Sequence, residues 1–180
     1  MAVIDYFYAN NFPSQRVSNA EKEKPEWYAQ CCDYVIAMGQ SCADKDNLEK
    51  MLPENGIEYL HFEDLGGRRK PLPDSRNTAW RLDAFKGYAD YMETESFENG
   101  VKQLEKLALE KNTAMMCSEA VWWRCHRSMV SDYLKAKGWE VLHIMALGKA
   151  TEHPYTAPAR IIGNQVFYSE ENDNQTLTKI

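Results

Sequence analysis

Two thiols, a carboxylate, an imidazole and two guanidiniums fall within residues 113–128, Thr-Ala-Met-Met-Cys-Ser-Glu-Ala-Val-Trp-Trp-Arg-Cys-His-Arg-Ser. A span this short can form one loop. Its groups are those of nucleophilic and proton-transfer chemistry: a thiolate attacks, an imidazole or carboxylate moves protons, and a guanidinium grips an anion. Cys117, Glu119, Cys125 and His126 are therefore the candidate catalytic residues, with Arg127 and Trp123 as candidate substrate contacts.

The local pattern shows what would bring these groups together. Thr113 to Cys117 is an apolar run that reads as a buried strand, and Met129, Val130, Tyr133 and Leu134 have the spacing of a helix face. A helix starting near Cys125 would set its first free N–H groups and positive dipole end beside the carboxyl end of that strand, which favours thiolates and anions. Gly138 reads as the helix stop and Trp139 to Met145 as the next strand, completing a βαβ unit.

Each candidate also has a plainer reading. On a helical wheel His126 falls near the middle of the apolar stripe, as a core histidine would. Cys117 and Cys125 could be small buried hydrophobes. Glu119 could serve as a general base, an arginine partner or a helix cap. Trp122 and Trp123 could stack a base or simply pack over the loop.

A second segment adds positive charge. From Leu65 to Arg81 the chain carries Arg68, Arg69, Lys70, Arg76 and Arg81 against Asp74, a local +4 in a chain of net charge −6. Gly66 and Gly67 would let backbone approach a ligand, and Arg68, Arg76 and Arg81 could grip carboxylate or phosphate. The competing reading is a solvated loop whose arginines pair with surface acids.

Composition bounds the remaining choices. With 180 residues, 44% hydrophobic and 12% aromatic, the chain can bury a full core and is expected to form one domain over 1–168, with a flexible tail at 169–180. Net negative charge argues against a general nucleic-acid coat or a membrane-surface binder. The lack of a membrane-length apolar run and of a secretory-type start points to a cytoplasmic protein with no membrane partner. Five cysteines, an odd count in a chain that needs no staples, suggest free thiols; Cys31 and Cys32 are adjacent and cannot readily bridge each other.

Further elements follow from periodicity and breakers. Ala2 to Tyr8 has strand composition and Asn10 to Ser14 reads as the loop leaving it. Residues 19–26 suit a loop or helix start, and Trp27 to Met38 is ambiguous between a helix and a helix followed by a strand. Asp44 to Asn55 reads as a helix capped by Asp44 and ended by Pro53, and Ile57 to Phe62 as a strand. Thr78 to Met92 reads as a helix interrupted near Gly87, Phe97 to Leu109 as another, and Ala159 to Tyr168 as a hairpin turning at Gly163-Asn164. The fold class expected is three-layer α/β, with a mostly parallel central sheet, flanking helices and the C-terminal hairpin.

Leu65-Gly66-Gly67-Arg68 after a strand, Trp80-Arg81 with Phe85 to Met92, Met116-Cys117-Ser118-Glu119, and Arg124-Cys125-His126-Arg127-Ser128 occur in that order. Over about residues 57–145 this series resembles the family catalogued as domain of unknown function 488. Residues 1–55 depart from it: the family usually opens with a Gly-His-Ser-like turn and an Asp-Val-Arg strand, of which Ile4-Asp5 and Phe12 to Arg16 are faint echoes. The resemblance carries no settled activity. It implies a compact α/β fold and a site at Cys117, Glu119, Cys125, His126 and Arg127.

Three functions fit these residues. The first is a cytosolic enzyme in which Cys125 or Cys117 attacks a small anionic, phosphate-bearing or nucleotide-like substrate. His126 or Glu119 moves protons, and Arg68, Arg76, Arg81 or Arg127 holds the anion. The phosphatase loop is excluded, because six residues rather than five separate Cys117 from Arg124 and none is glycine. The second is a non-catalytic module that binds nucleotide or nucleic acid through the arginine loop. The third is a metal site of Cys117, Glu119, Cys125 and His126, which needs an irregular helix start because neighbouring helical residues diverge by about 100°. No cofactor is assigned.

Overall fold

The computed structural model describes residues 2–6, 34–38, 45–117, 119, 121–146 and 149–170. The expected loops near residues 10–26, the Asp44 cap, Cys31, Cys32 and most of the tail lie outside these residues. The strands are β1 (Ala2–Tyr6), β2 (Tyr34–Ala37), β3 (Glu58–His61), β4 (Thr113–Met116), β5 (Glu140–Ala146), β6 (Lys149–Glu152), β7 (Arg160–Ile162) and β8 (Gln165–Phe167). The helices are α1 (Lys45–Glu54), α2 (Asp83–Met92), α3 (Glu95–Glu110) and α4 (Arg127–Ala136). The protein is thus mixed α/β.

One sheet runs in the order β3-β2-β4-β1-β5-β6. Parallel pairing joins β3 to β2, β2 to β4, β4 to β1 and β1 to β5. All four residues of β4 are buried, the condition a continuous apolar run meets. Two antiparallel pairs qualify the mostly parallel arrangement read from the sequence. β6 pairs antiparallel with β5, and β7 with β8 forms a separate two-stranded sheet. The β6 segment, Lys-Ala-Thr-Glu, carries no apolar alternation and suits a short charged edge. The β4-α4-β5 unit is also split, because β1 lies between its two strands: Ile4 is opposite Ala114 on one side and Leu142 on the other.

Helix bounds follow local chemistry. Thr94 caps α3 by accepting the Phe97 N–H, and Phe97, Val101, Leu104 and Ala108 form its buried face. Pro53 falls within the last turn of α1, and Gly56 follows with φ +76°. α2 begins at Asp83 rather than Thr78, because residues before it serve the loop: Ala79 N–H donates to Tyr168 O at 2.9 Å. Nor does Gly87 interrupt α2. A Cβ there would lie 2.6 Å from Arg69 O and from the carbonyl carbon of Lys70, so glycine lets the arginine loop cross the helix in contact.

The core joins Leu65, Tyr88, Phe97, Val101 and Leu104 to Met115, Met129, Val130, Leu134, Val141 and Tyr168. The hairpin turns at Gly163, φ +62°. Among the described residues no helix is long and apolar enough to cross a membrane.

Candidate functional site

Cys117 leaves the carboxyl end of β4 and Cys125 follows a 3₁₀ turn at Trp122–Arg124. Helix α4 starts at Arg127, two residues past Cys125; His126 is its N-cap in helical conformation and Cys125 is extended, φ −125° and ψ 148°. That break in geometry is what a continuous helix would have prevented. It turns the two neighbouring side chains toward each other, so that Cys125 Sγ lies 3.4 Å from His126 Nδ1. The Cys117 and Cys125 sulfurs and a His126 ring nitrogen all lie within 4.8 Å of one another.

Arg127 organises the sulfur end of this cluster. Its side chain is fully buried, Nε–H donates to Cys125 Sγ at 3.2 Å, and Nη2–H donates to Glu119 O at 2.7 Å. A guanidinium in the interior favours an anion beside it. Burial pushes the Cys125 thiol up, but a hydrogen bond from Cys117, the charge of Arg127, and the Arg127 backbone and side-chain N–H groups outweigh it, and the pKa falls to about 7. Cys117 moves the opposite way: its hydrogen bond to Cys125, its burial and the Cys125 charge hold its proton well above the usual range. The two sulfurs are thus biased in opposite directions, Cys125 toward the thiolate and Cys117 toward the neutral thiol.

The other motifs form the walls. A Cβ on Gly67 would lie 2.1 Å from His126 Nδ1, so the glycine loop rests directly against the imidazole. Tyr88 from α2 packs its ring 4.9 Å from that of His126, and its hydroxyl donates to Leu65 O at 3.0 Å. Four sequence-separated motifs thus meet around the Cys125–His126 pair, past the end of β4, where parallel α/β sheets place ligands.

The remaining candidates divide. Arg127 faces the thiol rather than solvent. Arg76 pairs with Glu93 at 3.1 Å and Arg69 lies over the Tyr91 ring at 4.0 Å, whereas Arg68 and Arg81 are exposed. Gly66 is buried beside Leu65. Glu119 is exposed and touches the cluster through its carbonyl; Trp123 is 52% exposed. The loop itself is pinned by buried Asp90, which accepts from Leu72 N–H, Ser75 Oγ–H and Asn77 Nδ2–H at 2.8, 2.6 and 2.8 Å. Burial works against the Asp90 carboxylate, but those three donors hold its pKa below the usual value.

A buried network beside the site was not foreseen. Asp132 on α4 accepts from Thr156 N–H, Thr156 Oγ–H and Tyr168 OH at 2.9, 2.5 and 2.9 Å, and lies 2.9 Å from His153 Nε2. His153 Nδ1 is 2.7 Å from His143 Nε2, and Trp122 stacks on the His143 ring at 4.2 Å. The network ties the hairpin and β5 to the turn that carries Cys125. Its only sequence signal was polar residues inside apolar stretches: Asp132 between the apolar positions of α4 and His143 within a strand.

A mixed α/β protein with a thiol pair, an imidazole and a buried guanidinium at a strand end is the class these features define. The family described as Domain of unknown function DUF488 matches residues 36–134, and the chain belongs to that family. The match begins earlier and ends sooner than the 57–145 suggested by the motifs, yet it contains every candidate site residue. Among curated proteins and among solved structures nothing matches the chain.

Proposed function

We propose that this protein is a cysteine-dependent enzyme acting on a small anionic substrate, with the Cys125 thiolate as nucleophile. The observation that carries the reading is the setting of Cys125 Sγ: 3.2 Å from the Nε of a fully buried arginine and 3.4 Å from an imidazole nitrogen, with a second thiol in the same cluster. Arg127 stabilises the attacking anion, His126 supplies the proton that the leaving group takes up, and Gly67 keeps the imidazole in place. Arg68, exposed and next in sequence to Gly67, is suited to catch the substrate's negative charge.

A metal site is the second reading, favoured by the extended backbone of Cys125, which removes the angular objection to Cys125 and His126 sharing an ion. Arg127 weighs against it, since a divalent ion on the same sulfur would face a guanidinium at 3.2 Å. Native mass spectrometry after zinc addition separates the two: the metal reading requires one tightly held ion lost in C117S and C125S, and the enzyme reading requires none. The direct test of the nucleophile is site-resolved alkylation against pH. Modification of Cys125 with a midpoint near pH 7, slowed by inorganic phosphate, supports the proposal; reaction of Cys125 only upon unfolding rejects it.

A further inference from the structure

The arrangement of Cys117 goes beyond what a single nucleophile requires. Its sulfur lies within 4.8 Å of the Cys125 sulfur and of a His126 ring nitrogen, and it is buried at the end of β4. Cys125 is 2% exposed, so an electrophile that reaches it in this conformation must be small. A low-lying thiolate with a second thiol in contact is the arrangement that lets a first oxidation product be resolved before it is oxidised further.

We infer that Cys125 and Cys117 act as attacking and resolving thiols that reduce a small hydroperoxide and close a reversible disulfide between the end of β4 and the start of α4. The inference rests on the reading of Cys125 as a nucleophile but not on an anionic substrate. In the first step Cys125 S⁻ attacks one peroxide oxygen and the O–O bond breaks. The departing oxygen takes a proton, for which His126 is placed, and leaves as water or alcohol, while Cys125 becomes a sulfenic acid. In the second, Cys117 sulfur attacks Cys125 sulfur, the S–O bond breaks, and hydroxide leaves as water with the Cys117 proton. Two thiols lose two electrons and two protons to the peroxide, and an external dithiol reopens the bridge.

The order of the steps is built into the pair. While Cys125 is anionic its charge and its hydrogen bond keep the proton on Cys117; the sulfenic acid carries no such charge, whereas Arg127, whose charge favours the Cys117 thiolate, stays in place. The resolving thiol is thus released when it is needed.

The test treats the folded, reduced protein with near-stoichiometric hydrogen peroxide, blocks free thiols, and maps the unreduced digest by mass spectrometry. The expected result is a Cys117–Cys125 linked peptide that dithiothreitol reopens. C117S should stop at a Cys125 sulfenic acid captured by dimedone, and C125S should give neither product; circular dichroism shows that each variant is folded, with C117A in reserve for C117S. If Cys125 alkylates with a midpoint near pH 7 but no such link forms, the inference is wrong and the nucleophile stands. Should Cys125 alkylate only above about pH 8.5, as an ordinary thiol does, both are wrong.

Discussion

At the scale of single residues, the two sulfurs have opposite pH signatures. An unfolded cysteine titrates near 8.5, above the value of about 7 for Cys125 in the fold. Unfolding therefore takes up a proton between these values. The Cys125 contribution is full above about pH 8.5, falls off as pH drops, and is lost through about pH 7. Cys117 reverses the trend above about pH 8.5, because its raised pKa keeps a proton that the unfolded chain releases. Denaturant titrations should show stability rising by about 1 kcal/mol from pH 7 to 8.5 and declining above; C125S should lose the rise. G67A should drive its Cβ into the His126 ring, cost about 1–3 kcal/mol, and alter the His126 imidazole NMR signals. Cys117, Cys125 and His126 were legible as a group because strand, turn and helix follow one another within 24 residues, 113–136. The inward aim of Arg127 was not, since a guanidinium beside a predicted anion site reads equally as a substrate contact. Gly66 and Gly67 promised close approach of backbone to something, and for Gly67 that something is His126.

At the scale of elements, the hairpin is held to α4 through Asp132. D132A would strand buried donors from Thr156, Tyr168 and His153 and should cost about 3–5 kcal/mol, whereas Y168F should cost about 1.5–3 kcal/mol; urea melts of both variants measure the difference. G87A would place a methyl against loop backbone, which cannot rotate away as a side chain can, and should destabilise by about 1–3 kcal/mol although alanine is the better helix former. Periodicity gave α3, β3, β4 and the hairpin turn because local pattern and burial agree there. It misplaced the start of α2, where a tertiary partner claims the backbone: Tyr168 O takes the Ala79 N–H. At α4 it came within two residues of the observed start, with Cys125 extended beside its arginine. β6 was illegible because an edge strand paired on one side needs no apolar face.

At the scale of the whole molecule, the charge distribution separates anion capture from chemistry. The chain is net negative, so under the proposed function an anion's approach would depend on the positive loop that Asp90 pins to α2. R68E with R81E should abolish phosphate protection of Cys125 while leaving its alkylation midpoint unchanged, a result that isothermal titration with phosphate can check. The family match from residue 36 to 134 spans both the loop and the thiol cluster, and the motif series in the sequence pointed to that family. The sequence could not show how β2 and β4 lie side by side to bring the end of β3 near the end of β4, because pairing between distant strands leaves no local mark. The proposed chemistry depends on one property, a Cys125 thiolate held by Arg127. Its most direct test is the alkylation rate of Cys125 against pH in the native protein and in R127Q. The expected result is a midpoint near pH 7 that moves up by at least one unit in the folded variant; an unmoved midpoint, or an inert Cys125 in the native protein, would show that Arg127 holds no thiolate there.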